Sequence, residues 1–174
     1  MAFVFMIALG MAAAAAVLVS EAVGRKAFAD AARAGWTAIW LNAIAMVIAA
    51  IVIVAFAHPI ARAYTADVAL AGLIASLLWI SALCLHPDGA QVVIASALRA
   101  RSDNWFPTFS HIVAYAVVMP VLGYWLAEQR EMGVAGLLFA IFWASVVSAG
   151  ILIVRWWALA RAARHAPTSS IQPS

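Results

Sequence analysis

The chain is short of charge and has a single cysteine, Cys84. One cysteine excludes a disulfide framework within the chain and any multi-cysteine metal site. Only 10% of its 174 residues are charged, where soluble domains carry about 25%. Its Lys and Arg residues form no dense run, so the usual footprint of a nucleic-acid-binding protein is missing. Phosphate-cradling loops, zinc-ligand spacings and nucleophile elbows are also absent, and catalysis is therefore not expected. No polar stretch is long enough to form a domain of its own.

Apolar residues dominate instead. They make up 68% of the chain, against about 45–50% in soluble proteins. A globular domain of this size could not hide so much apolar surface from water, whereas lipid accepts it. A membrane-spanning helix needs roughly 20 apolar residues to cross about 30 Å of hydrocarbon. Five stretches qualify: residues 2–23, 36–57, 68–98, 106–126 and 134–158. The fold class expected is all-α, a polytopic transmembrane helical bundle with about five spans over residues 1–160. Residues 161–174, with Pro167, Thr168, Ser169, Ser170 and Pro173, read as a disordered tail. No positive charge precedes the first apolar run, which favours a retained helix there; a cleaved signal or signal anchor is the alternative.

Two prolines sit inside spans. Residues 68–98 would reach about 46 Å as a straight helix, too long for one upright crossing. Pro87 lies inside this segment, so a tilted or broken helix is expected, with two half-helices as the alternative. Pro120, followed by Gly123, predicts a second kink in the fourth span.

The basic residues set the expected orientation. Arg25, Lys26, Arg33, Arg99, Arg101, Arg155, Arg161 and Arg164 fall at one end of a five-span bundle, and only Arg62 and Arg130 at the other. This bias predicts an outside N-terminus and a cytoplasmic C-terminus in a bacterial inner membrane. Trp36, Trp40, Trp105, Trp125, Trp156 and Trp157 lie near span ends, where an interfacial belt belongs. Trp79 and Trp143 lie deeper and should pack in the bundle or against lipid.

An ionisable residue inside a span is costly and is a functional candidate by default. Asp88 is the outstanding case, with His86, Pro87 and Gln91 around it. Asp88 and Gln91, three apart, share a helix face. A carboxylate, an amide and carbonyls loosened by proline suit Na⁺, or the carboxylate can carry a proton. The plainer alternatives are that Asp88 satisfies backbone donors at a kink, or sits at the lipid–water interface. Asn42, Ser110, His111 and Tyr115 are further candidates for lining a pathway, although such residues often only join neighbouring helices. Glu21, four residues before Arg25, reads as an interfacial ion pair.

Three stretches resemble the C-terminal lobe of the multidrug and toxic compound extrusion (MATE) family of cation-coupled exporters. The first, residues 7–26, is a small-residue helix leading through Val19, Ser20, Glu21, Ala22, Val23 and Gly24, with Ser20 where the family has glycine. The second and strongest runs from His86, Pro87, Asp88, Gly89, Ala90 and Gln91 through Leu98 and Arg99 to Asp103 and Pro107. It is similar to the family's Asp-x-x-Gln helix, with Ala100 in place of a glycine. The third joins Pro120, Leu122, Gly123, Tyr124 and Leu126 to Gly133, Val134, Gly136 and Leu137. The resemblance covers nearly all of residues 3–160 and implies that the five spans are the family's last five helices. It also implies a cation-coupling role for Asp88, with Na⁺ or H⁺ as the coupling ion, no other cofactor, and drugs or organic cations as substrates.

The family's export path lies between two lobes, and alternating access needs both. The partners expected are the lipid bilayer and a missing N-terminal lobe or second chain, with no nucleic acid. A truncated, non-transporting membrane remnant or helical scaffold is the alternative.

Overall fold

The computed structural model describes residues 2–165. All regular structure among them is helical. The first span is α1 (Ala2–Gly24) and the second α2 (Phe28–Ala55). A short α3 (Ala57–Tyr64) precedes the third span, α4 (Val68–Ala100). The fourth is composite: α5 (Trp105–Ile112), a π-helical turn (Val113–Val118), α6 (Met119–Tyr124) and a second π turn (Trp125–Gln129). The fifth is α7 (Gly133–His165). Five of these helical stretches are long and apolar enough to cross a membrane.

Several element boundaries differ from the sequence expectation, each for a local reason. Helix α2 starts eight residues before Trp36, because Ala31, Ala32 and Gly35 of its opening turns are buried against the bundle; the exposed Asp30–Arg33 pair adds little. The polar joint after it contains α3, whose buried Ala57 and Ala61 pack with Ala71 and Ala75 of α4. Asp67 then caps α4, accepting from the backbone N–H groups of Ala69 and Leu70. Helix α7 continues to His165, five residues into the segment expected to be a tail; residues 166–174 lie outside the described ones.

The two prolines have different outcomes. Helix α4 is unbroken across Pro87, so neither a break nor two half-helices form. Proline removes one N–H and clashes with the preceding turn, but the buried Pro87 is held within long flanking helix packed on α1, α2 and α7. In the fourth span the irregularity is a π turn that ends just before Met119 and Pro120. A widened turn is a recognised way for a helix to absorb a disruption, and such turns recur at functional sites.

Helix α4 is the hub, touching α1, α2, α3 and α7. Its small and β-branched face, including Val93, Ile94 and Ala97, is fully buried against Ala15 and Val19 of α1 and Leu152 of α7. Ile44, Ile48 and Ile51 of α2 and Trp79 and Trp143 are exposed on the outside of the bundle. Trp156 departs from the interfacial belt: it is fully buried, and Gly35 leaves the space it fills. An added Cβ at Gly35 would lie 2.0 Å from the indole.

The basic ends of α4 and α7 meet at one end of the bundle, beside the start of α5. Arg155 pairs with Asp103 at 2.8 Å, Arg101 lies 5.6 Å from the Trp156 ring, and Arg155 lies 5.1 Å from Phe106.

Candidate intramembrane carboxylate site

Asp88 stands on α4, twelve residues before its end at Ala100, and is partly buried. Three helical segments supply its partners. Ser145, on α7, donates its hydroxyl to Asp88 Oδ1. Gln91, one turn further along α4, donates through Nε2 to the same oxygen at 3.2 Å. Tyr115, in the π turn of the fourth span, donates from its hydroxyl at 3.5 Å. These partners are also tied to one another. The Tyr115 and Ser145 hydroxyls lie 3.0 Å apart, and Gln91 Nε2 donates to the Tyr115 oxygen at 2.5 Å.

The local sequence explains the convergence. Asp88 and Gln91 are three apart and project to one side of α4. Gly89 lets α2 come close beside them: a Cβ there would lie 2.8 Å from both Asn42 Nδ2 and Met46 Cγ. Asn42 is fully buried, and neither its Oδ1 nor its Nδ2 has a hydrogen-bond partner. Gln91 Oε1 is likewise buried and unpartnered. Unpaired polar atoms in an apolar interior are costly, and here the Asn42 amide and the Gln91 carbonyl oxygen are left without partners.

A second polar cluster lies along the same helices. His111 Nδ1 is 3.1 Å from the Ser148 hydroxyl, and Ser110 Oγ is 3.3 Å from it. Ser148 is three residues beyond Ser145 and His111 four before Tyr115, so both clusters follow the α7 face that meets the fourth span. The His111 and Tyr115 rings are 6.2 Å apart. His86 joins neither cluster. It is exposed and lines an apolar groove of about 770 Å³ with Met46, Trp79 and Phe139.

Asp88, Gln91 and Tyr115 are thus in direct contact, Asn42 packs beside them against Gly89, Ser110 and His111 form a separate group, and His86 stands apart. Sequence reasoning missed Ser145 and Ser148. Their only signal was two hydroxyls three apart in an otherwise apolar helix, a pattern that serves ordinary helix contacts equally well. Among the described residues no three His, Cys, Asp or Glu side chains come together as a metal centre.

Five helices long and apolar enough to cross a membrane, packed into one bundle, define a multi-pass membrane protein. The MatE family model matches residues 1–125. The chain belongs to the MatE family. It is 40% identical over 169 residues to the probable multidrug resistance protein NorM of Caulobacter vibrioides, covering 95% of this chain and 36% of that protein. The corresponding protein of Rhodopseudomonas palustris is 31% identical over 173 residues, covering 97% and 36%. The multidrug resistance protein NorM of Burkholderia vietnamiensis is 31% identical over 172 residues, covering 96% and 36%. The chain therefore spans about a third of the length of these relatives.

Proposed function

We propose that this chain forms part of a cation-coupled efflux antiporter for drugs or organic cations, with Asp88 as the group that takes the coupling Na⁺ or H⁺. The observation that carries this reading is the Asp88 carboxylate held by Ser145, Tyr115 and Gln91 beside two amides with orphaned atoms. A hard monovalent cation prefers oxygen donors, which Asp88, Gln91 and Asn42 all possess. A proton needs only the carboxylate; once neutral, the carboxyl group can donate to the Ser145 or Tyr115 hydroxyl while Gln91 Nε2 remains a donor. Either occupant removes the charge that makes the site expensive in lipid, which links ion binding to the packing of α4, α7 and the fourth span.

Alternating access needs a second unit rocking against this one. That unit, an N-terminal lobe in the same or another chain, is part of the proposal. So is the orientation, with the arginine-rich end of the bundle in the cytoplasm of a bacterial inner membrane.

The coupling role is tested on the purified chain by ²²Na⁺ binding at several pH values, with and without Asp88→Asn. Saturable binding that protons displace, lost in the variant, supports Na⁺ coupling. Proton uptake in the wild type that is missing in the variant, without sodium binding, supports H⁺ coupling. Unchanged ion binding in Asp88→Asn removes this residue from the mechanism.

The second reading is a non-transporting remnant or helical scaffold. Ser20 and Ala100, standing where the resembled family has glycines, favour it. Substrate-dependent transport by the purified chain in liposomes would exclude it.

A further inference from the structure

At the arginine-rich end of the bundle, α2 and α7 leave a groove beside the Gly35–Trp156 contact. It has a volume of about 990 Å³ and is lined by Arg33, Trp36, Trp40 and Trp157, with a smaller adjoining hollow of about 290 Å³ reaching Arg161. Arg33, Trp36 and Trp40 recur at helical spacing and form one stripe on α2. On α7, Trp157 and Arg161 are four apart, and the Arg161 guanidinium lies 4.9 Å from the Trp157 ring. Trp40 and Trp157 are exposed, at 66% and 51%.

The chemistry of the groove is graded along the helix axes. The guanidinium of Arg33 lies nearest the start of α2, in its second turn. Trp36 and Trp40 follow, the latter about 10 Å deeper at 1.5 Å per residue. Beyond them the α2 surface is apolar through Ile44 and Ile48. Charge, then indole, then aliphatic surface is the order a phospholipid presents from phosphate through glycerol to acyl chain.

The local charge balance is positive. Asp30 pairs with Arg33 and Glu21 with Arg25. Among the described residues no carboxylate pairs with Arg161, or with Lys26 in the turn before α2. Basic pockets between transmembrane helices recognise anionic lipid headgroups. A helix docking in the same groove would have to satisfy this surplus with acidic groups of its own.

We propose that the α2–α7 groove binds an anionic phospholipid, its phosphate held chiefly by Arg161, with Arg33 shared between it and Asp30, and its glycerol and upper acyl region against Trp157, Trp36 and Trp40. The site is separate from Asp88 and stands whether or not the chain transports anything.

The test uses the full purified chain in detergent, with thermal unfolding followed by thiol-dye labelling of the single, buried Cys84. Phosphatidylglycerol, phosphatidylcholine and inorganic phosphate are added in turn. At tenfold excess over Kd, phosphatidylglycerol should raise Tm by about 3–6 °C. Phosphatidylcholine and inorganic phosphate should leave it unchanged. The double substitution Arg33→Gln and Arg161→Gln should remove the shift, and Arg130→Gln, at the other end of the bundle, should keep it. Should the double variant not fold, Arg161→Gln alone should halve the shift or more, and Arg161→Lys should largely preserve it. The proposal is overturned by an equal shift with phosphatidylcholine, by a full shift with inorganic phosphate alone, or by charge-removed variants that respond like the wild type. Loss of the lipid shift in the wild type when a co-expressed N-terminal lobe is bound would overturn it too, since a helix would then occupy the groove.

Discussion

Asp88 shows how one residue type in one place constrains its neighbours. An acid within a span needs partners, and the bundle supplies three donors from three helical segments. The Tyr115 contact with Asp88, at 3.5 Å, is at the edge of hydrogen-bonding range, while Ser145 reaches the carboxylate directly. Ser145→Ala should therefore cost more than Tyr115→Phe. Hydrogen bonds to charged groups contribute about 1.5–3 kcal/mol in water-soluble proteins, while interhelical ones in membranes average about 0.6 kcal/mol. An intermediate loss of about 1 kcal/mol is expected for Ser145→Ala, read by equilibrium unfolding in detergent, and less for Tyr115→Phe. Equal losses would mean that the Ser145 contact is not the dominant one. Much at this scale was legible beforehand. Asp88, Gln91 and Tyr115 are polar residues in apolar runs, and their rarity makes them conspicuous. Ser145 was not, because a serine in a membrane helix satisfies itself as readily on its own backbone as on a neighbour. The unpartnered state of Asn42 could not be read at all, since it depends on what α4 presents opposite it.

Helices in this bundle approach closely where a side chain is missing. Gly35 receives the buried Trp156 ring, and Gly136 sits against the backbone of Leu126 and Ala127, with a virtual Cβ 2.8 Å from both. Alanine would ordinarily gain about 1 kcal/mol of helix propensity over glycine. At Gly35 the overlap with the indole outweighs that gain, because the ring is fully enclosed and cannot swing away. Gly35→Ala is expected to destabilise the chain by about 2 kcal/mol net. Gly10→Ala, where a Cβ meets nothing within 4 Å, should be neutral or stabilising. Thermal melts of the two variants decide this, and a stabilised Gly35→Ala would refute the packing described. Helix existence was readable from hydropathy, since five apolar runs of spanning length leave few alternatives. Helix ends were not. The start of α2 and the whole of α3 are polar enough to resemble connections, but Ala31 and Ala32 of α2 are buried in the bundle and the alanines of α3 pack on α4. The unbroken course of α4 through Pro87 was also hidden, because proline's local preference loses to the packing of a long helix.

As a whole, the molecule places its arginine-rich helix ends together, as successive spans of alternating direction do. If that end faces the cytoplasm, green fluorescent protein fused after Ser174 should fluoresce in intact bacteria, and alkaline phosphatase fused there should be inactive. The reverse pattern would invert the orientation. The length of the chain relative to its kin bears on mechanism more than any single side chain does. With 36% of the Caulobacter vibrioides protein represented, the chain alone should bind its ion yet fail to move substrate against a gradient. The direct test is a chimaera in which this chain replaces the matching part of that relative, assayed for gradient-driven extrusion of an organic-cation dye from cells. The account predicts extrusion by the chimaera and its loss with Asp88→Asn at equal expression. Undiminished extrusion by the Asp88→Asn chimaera would contradict it.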